Sequence, residues 1–145
     1  PAVALARTSL YAQGAAVHVA VWPGCKRNTE GLTRLIAFEA RSFVASVSGL
    51  MRPSDFPTDF PNMDVVLANS PEFLANGGSC IAGPDGNWVI EPFCDEEKLI
   101  VATLDHTRVR EERQNFDAVG HYCRHEVLSL HSDRRRQPAA EFIDS

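Results

Sequence analysis

AVHVAVWPGCKRN, residues 16–28, sets the architecture that the rest of the chain must fit. Val17, Val19 and Val21 are β-branched and alternate with small or polar residues, the period-two pattern of a strand. Pro23 has no amide hydrogen to give a sheet ladder, and Gly24 admits backbone angles closed to other residues, so the strand ends in a turn. The turn presents Trp22, Cys25, Lys26 and Arg27 at the strand's carboxyl end, the edge at which open α/β sheets bind ligands. An aromatic wall, a thiol and two cations at that place make a candidate site.

The flanking segments complete a βαβ unit. Residues 2–13 carry Val3, Leu5, Ala6, Leu10 and Ala12 in an approximate helical stripe that stops at Gly14. Beyond the turn, Asn28 or Thr29 caps a helix over residues 30–41, with Leu32, Leu35, Ile36 and Glu39 or Ala40 on its inner face. Residues 42–49 then alternate Phe43, Ala45 and Val47 as a second strand. This order implies two adjacent parallel strands joined by a right-handed crossover.

The pattern dissolves over residues 50–73, where Pro53, Pro57, Pro61 and Pro71 forbid a continuous element and only 65–67 suit a short piece. So long a loop is usually functional or a contact surface. Strands at 78–82 and 87–90 flank the turn Gly83-Pro84-Asp85-Gly86, in which Pro presets one angle and Gly takes the left-handed one. Residues 99–104 read as a further apolar strand, so the second half resembles an antiparallel meander completing a mixed sheet. Asp105 caps a charged helix over 106–113. Residues 116–145 have no core period and suggest a tail that is disordered or packed on another subunit.

With 145 residues, 44% hydrophobic and 23% charged, the chain suits one globular domain. A net charge of -5 and no basic face before the tail argue against nucleic acid as partner. No apolar run approaches the roughly 20 residues that cross a bilayer, and no secretory leader opens the chain, so the expected location is the cytoplasm, away from membranes. Cys25, Cys80, Cys94 and Cys123 are widely spaced without a CxxC pair and read as reduced thiols. A start at Pro1 in mid-helix, without Met, reads as a piece of something longer.

Several segments are spelled in a recognisable way. ALARTSLYAQG, VHVAVWPG, FEARSFV, GGSCIAGPDGNWV and IVATLDHTRVREERQNFDAVGHYCRHEVLSLH follow the order and spacing of the carboxyl-terminal half of nitrilases. The chain resembles that family over nearly its whole length. The GGSxIxGPDG pattern belongs to the wider carbon–nitrogen hydrolase superfamily, whereas the run from Asn115-Phe116-Asp117 through Gly120-His121-Tyr122 to Val127 is more particular to nitrilases, with Asn115 and Glu126 as departures.

The resemblance implies an α/β fold: half of a four-layer α-β-β-α sandwich, with a mixed sheet, helices on one face and an extended carboxyl-terminal tail. Residues 1–115 are then the carboxyl-terminal half of a catalytic domain and 116–145 a subunit-contact tail. The implied reaction hydrolyses an organic nitrile to a carboxylic acid and ammonia, with a cysteine nucleophile, a glutamate base, a lysine and no cofactor or metal. All three catalytic residues fall before Pro1, the cysteine about three positions upstream, so no catalytic residue is expected in this chain. The implied partners are a small nitrile, copies of the same protein in a dimer or spiral, and the amino-terminal half. Alternatives are an amidase-type or cyanide-processing member of the superfamily, or a non-catalytic fragment or structural partner.

The resemblance, together with the strand-edge rule, makes Trp22, Pro23, Gly24, Cys25 and Arg27 lining of a substrate pocket. The plainer reading is that Trp22 is a strand-end core residue and Cys25 a small apolar filler. Cys25 lacks an identified base, so it is not read as a nucleophile. Arg27 and Asn28 suit a substrate's polar group, although Asn28 also suits a cap. Glu39 lies among apolar residues and needs a partner, with Arg34, Arg41 or backbone donors as the options. His121, Cys123, His125 and His131 lack the paired spacing of a zinc site. His121 and Tyr122 are instead expected to fix the tail to the body or to a neighbouring subunit, and Arg134-Arg135-Arg136 to be solvated.

Overall fold

The computed structural model of the chain describes residues 4–69 and 72–135. Its centre is the expected βαβ unit: strand β1 (Val17–Trp22), helix α2 (Lys26–Ala40) and strand β2 (Phe43–Ser48), preceded by helix α1 (Ala4–Tyr11). β1 and β2 are parallel, with Val17 beside Phe43 and Trp22 beside Ser48.

After Gly49 a short strand β3 (Leu50–Met51) continues β2 along the same edge of β4 (Ala75–Ala82). Both pair with β4 antiparallel, Val44 opposite Ala82 and Leu50 opposite Asn76. β5 (Trp88–Cys94) returns antiparallel on the other edge of β4, with irregular register. The result is an open mixed sheet with four α-helices among the described residues, completed by α3 (Met63–Asn69) and α4 (Thr107–Asn115).

α2 covers one face of the sheet. Ala20, Val44 and Ala82 point to it and are fully buried together with Ile36 and Ala37 of the helix, while Trp22, Leu32, Ala40, Trp88 and Val119 pack around them. On the opposite face Val19, Val21 and Val47 are 61%, 75% and 52% exposed. Strand pleating puts those three on one side, so an apolar face of β1 and β2 stands open.

Four expectations need correction. α2 begins at Lys26, four residues before the expected start, and has no side-chain cap. Its buried residues are Thr29, Thr33, Ile36 and Ala37, while Leu35 faces out. The helix turns its hydroxyls inward because they have partners there: Thr33 Oγ1 is 2.6 Å from Ser46 Oγ and 3.5 Å from Cys80 Sγ. In α1 the inward residues are Arg7 and Tyr11 rather than the apolar stripe, and Leu5 is exposed. Both reach for a carboxylate on α2, so a polar cluster rather than a greasy contact orients the helix.

Third, that carboxylate is Glu39, whose partners are Arg7 and Tyr11. Neither expected arginine reaches it. Arg34 donates to the Gly86 carbonyl, and Arg41 pairs with Glu112 at 3.1 Å. Fourth, residues 99–104 form no strand, and Leu99 and Val101 stand in solvent. A strand needs a ladder partner, and this segment forms no ladder with the other described residues. The short piece expected at 65–67 is part of helix α3.

The start of the tail folds back on the body. Phe116 lies under the Arg41 guanidinium at 5.3 Å and against Tyr122 at 4.8 Å between rings, and Ser132 Oγ meets Ser9 Oγ at 3.0 Å. Tyr122 is itself exposed, with the His121 ring 5.0 Å away. Arg136 of the basic run lies outside the described residues. No helix among the described residues is long and apolar enough to cross a membrane.

Candidate functional site

The turn from β1 into α2 is built by close backbone approach. Gly24 is buried at φ 127, and a Cβ there would fall 2.3 Å from Ala75 Cβ, so no other residue fits without displacing β4. Cys25 follows at φ 92, a region that L residues rarely occupy. Its strain is held by the amide, which donates to Gly77 O at 3.0 Å. Lys26 N donates to Asn76 Oδ1 at 3.3 Å, and Asn28 Nδ2 reaches back to Gly24 O at 3.1 Å. The helix therefore starts where β4 fixes it. Asn28 binds a turn carbonyl instead of capping with its own oxygen.

Beneath the turn, Trp22 Nε1 donates to Ser46 Oγ at 3.0 Å, and Ser46 Oγ meets Thr33 Oγ1 at 2.6 Å. This chain of hydroxyls links β1, β2 and α2 and ends at the buried Cys80, whose thiol pKa is pushed up by burial. The indole of Trp22 thus lies on the helix side of the sheet with a fixed orientation. Hydrogen-bonded networks of this kind hold one side-chain arrangement when every member is satisfied.

Above the turn lies a cleft of about 400 Å³ lined by Cys25, Asn69, Glu72, Phe73, Leu74, Asn76 and Asp95. Cys25 is the one residue of the sequence-predicted set that lines it. Pro23 and Arg27 are exposed beside it, and Lys26 lies 3.9 Å from Glu30. The nearby Cys94 thiol is pushed up by burial and by the charge of Asp95. The cleft offers a half-exposed thiol, two amides and two carboxylates. That suits orientation of a small polar molecule, and it holds no general base set against the thiol at a hydrogen-bonding distance.

Away from the turn, Glu39, Arg7 and Tyr11 make one cluster. Tyr11 OH donates to Glu39 Oε2 at 2.7 Å and Arg7 NH2 to the same oxygen at 3.2 Å. Burial and the neighbouring carboxylate push the Tyr11 phenol up to about 12. The cluster ties α1 to the end of α2. His18, on the helix side of β1, has its pKa lowered by burial first and by nearby positive charge second. Cys123 Sγ lies 3.4 Å from His125 Nδ1 in the tail, and among the described residues no three His, Cys, Asp or Glu are grouped as metal ligands.

Sequence reasoning missed the residues that position the turn, namely Ser46, Thr33 and the pair Gly77-Gly78. The signal was present in the two adjacent glycines, both at positive φ. A Cβ on Gly78 would lie 2.6 Å from Lys26 Cα and 2.8 Å from Thr29 Oγ1.

No family model matches the chain. Individual proteins do. A bifunctional nitrilase/nitrile hydratase of Lupinus angustifolius is 35% identical over 132 residues, 87% of this chain and 37% of the relative. A nitrilase 2 of an unknown prokaryotic organism is 34% identical over 94% of this chain, and an aliphatic nitrilase of Sinorhizobium fredii 32% identical over 93%. The chain is a nitrilase homologue. It spans about two fifths of the length of the curated nitrilases it matches. The GGSCIAGPDG segment by which it resembles nitrilases carries the Gly77-Gly78 pair that seats α2, and Asp85, whose carboxylate meets Arg108 of α4 at 2.6 Å.

Proposed function

We propose that this chain is the carboxyl-terminal half of a nitrilase and that the complete polypeptide hydrolyses an organic nitrile to a carboxylic acid and ammonia. The observation that carries the reading is similarity along nearly the whole chain to proteins named nitrilase. The open valine face of β1 and β2 supports the four-layer arrangement, because a second sheet is what covers an apolar sheet face in a sandwich.

In this reading the nucleophilic cysteine lies just ahead of α1, where the amino end of a helix favours thiolate. The thiolate adds to the nitrile carbon and gives a thioimidate. Water adds to the C=N carbon, ammonia leaves as the C–N bond breaks, and an acyl-enzyme remains. A second water displaces the thiolate and releases the acid. A glutamate upstream moves the protons and a lysine stabilises the developing charge. The present residues shape the pocket: Trp22, Pro23, Gly24, Cys25 and Arg27 form one wall, with Trp22 held by Ser46. Glu39 anchors α1, and His121 and Tyr122 serve tail packing and subunit contacts in a homo-oligomer.

The test is release of ammonia, acid and amide from a panel of aliphatic and aryl nitriles by the polypeptide extended to the length of its relatives. Turnover of at least one nitrile is expected; none overturns the activity. In the same protein Trp22→Ala changes relative rates among nitriles of different size, and unchanged selectivity removes Trp22 from the pocket.

A further inference from the structure

We infer that the cleft above the turn between β1 and α2 is the far end of the substrate pocket, and that Glu72 and Asp95 there select nitriles carrying an ammonium group remote from the nitrile carbon. The inference rests on the nitrilase reading above and adds the charge class of the substrate, which that reading leaves open.

Cys25 joins the cleft to the pocket, because it lines the cleft and also belongs to the turn that forms the proposed pocket wall. The volume of about 400 Å³ falls within the roughly 300–1,000 Å³ of small-ligand sites. Its lining divides by chemistry. Phe73 and Leu74 supply apolar surface, while Glu72 and Asp95 supply charge. Both carboxylates are exposed, and neither has a hydrogen bond or ion pair with another described side chain. Asp95 is nonetheless fixed in place, since its amide donates to Asn76 O at 3.0 Å. Two carboxylates held beside an apolar floor, with their oxygens free, are acceptors set for a donor that this chain does not provide.

The cations around the cleft are engaged or stand outside its lining. Lys26 lies 3.9 Å from Glu30, and Lys98 pairs with Glu96 and stacks over Phe93 at 4.6 Å. Arg52 stacks over Phe73 at 5.1 Å, and Arg27 is exposed; neither is among the lining residues. The lining therefore carries two negative charges and no positive one. A nitrile whose methylene spacer lies on Phe73 and Leu74 brings a terminal ammonium to Glu72 and Asp95, whereas a terminal carboxylate meets like charge there. One exposed ion pair changes affinity by a factor of about 2–5, so the two together favour the ammonium over a neutral group roughly tenfold.

The test measures ammonia release at neutral pH by the polypeptide extended to the length of its relatives. Its substrates are three unbranched alkyl nitriles of equal length that end in an ammonium, a methyl or a carboxylate group. The expected kcat/KM is roughly tenfold higher for the ammonium nitrile than for the methyl one, lowest for the carboxylate, and the spread narrows as salt is added. Joint replacement Glu72→Gln and Asp95→Asn should bring the ratio of ammonium to methyl nitrile close to one, while Glu72→Asp, which keeps the charge, retains a preference. Asn tolerates the positive φ of 67 at position 95, so the exchange spares the backbone. Turnover of the methyl nitrile with no preference for the ammonium overturns the inference and leaves the nitrilase reading standing. A preference that survives the joint replacement overturns the assignment to Glu72 and Asp95. A preference for the carboxylate makes Arg27 the selecting group and overturns it as well. No turnover of any nitrile overturns both readings.

Discussion

Replacing Gly78 by Ala drives a methyl group into the first turn of α2. The added Cβ would sit 2.6 Å from Lys26 Cα and 2.8 Å from Lys26 N, both backbone atoms, so the helix must retreat by roughly 0.8 Å to restore an ordinary contact. Overpacking of this kind costs about 1–3 kcal/mol. The residue also sits at φ 100, where a side chain is strained by a further ~1–3 kcal/mol. Gly78→Ala should therefore destabilise the fold by about 4 kcal/mol, a large part of the ~5–15 kcal/mol that holds a typical domain. Two other glycines separate the contributions. Gly14 is at φ 72 with nothing within 4 Å, so Gly14→Ala carries conformational strain alone, about 1 kcal/mol. Gly31 lies inside α2 with open space around it, so Gly31→Ala should stabilise by about 0.5–1 kcal/mol. Urea unfolding resolves the series, since ~3 kcal/mol between Gly78→Ala and Gly14→Ala moves the midpoint by about 1–3 M. Equal midpoints for the two would refute the close approach of β4 to α2.

Tyr11 is neutral in the fold and its raised pKa has a definite sign. The folded value of about 12 exceeds the ordinary 10.0, so its stabilisation is complete below pH 10 and is lost as pH rises towards 12. The tyrosinate absorbance that Tyr11→Phe removes should appear near pH 12; appearance near 10 would dissolve the cluster with Glu39. Burial alone would raise the Asp85 carboxyl, but the Asn87 backbone and side chain and Arg108 outweigh it, leaving its pKa below the ordinary 3.8. The stabilisation is present above that value and fades as pH falls through the folded pKa, so Asp85→Asn should lose less stability on acidification than the parent. Ser46→Ala takes the acceptor from the Trp22 indole and should shift its emission measured in a Trp88→Phe background. An unaltered spectrum would show that the indole is held by packing alone.

Much of the fold was legible because its signals are local. Alternating Val17, Val19 and Val21, the Pro23-Gly24 stop and the Gly83–Gly86 turn each act within a few residues, and the parallel pair and the hairpin stand where those signals put them. What was not legible depends on distant partners. α2 starts early because Asn76, fifty residues on, receives the Lys26 amide. α1 turns Arg7 inward because Glu39 is there to meet it, which no hydrophobic stripe encodes. The strand pattern at 99–104 misled, because pairing belongs to two segments and the described residues supply no ladder partner for this one. At the candidate site the turn was visible as a place, while the hydroxyl chain that orients Trp22 was hidden among serines and threonines that resemble surface residues.

The uncovered valines of β1 and β2 also impose an order in time. An apolar sheet face left in water is an aggregation template until something lies on it. Synthesis runs from the amino end, and domains take shape in that order. In the half-sandwich proposed above, with the covering body on the amino-terminal side, that body's sheet would leave the ribosome before Val19 and Val21 emerge, and they would dock on a surface already present. The earlier half would then act as a chaperone in cis for the later one, and expression of the two as separate polypeptides would forfeit that protection.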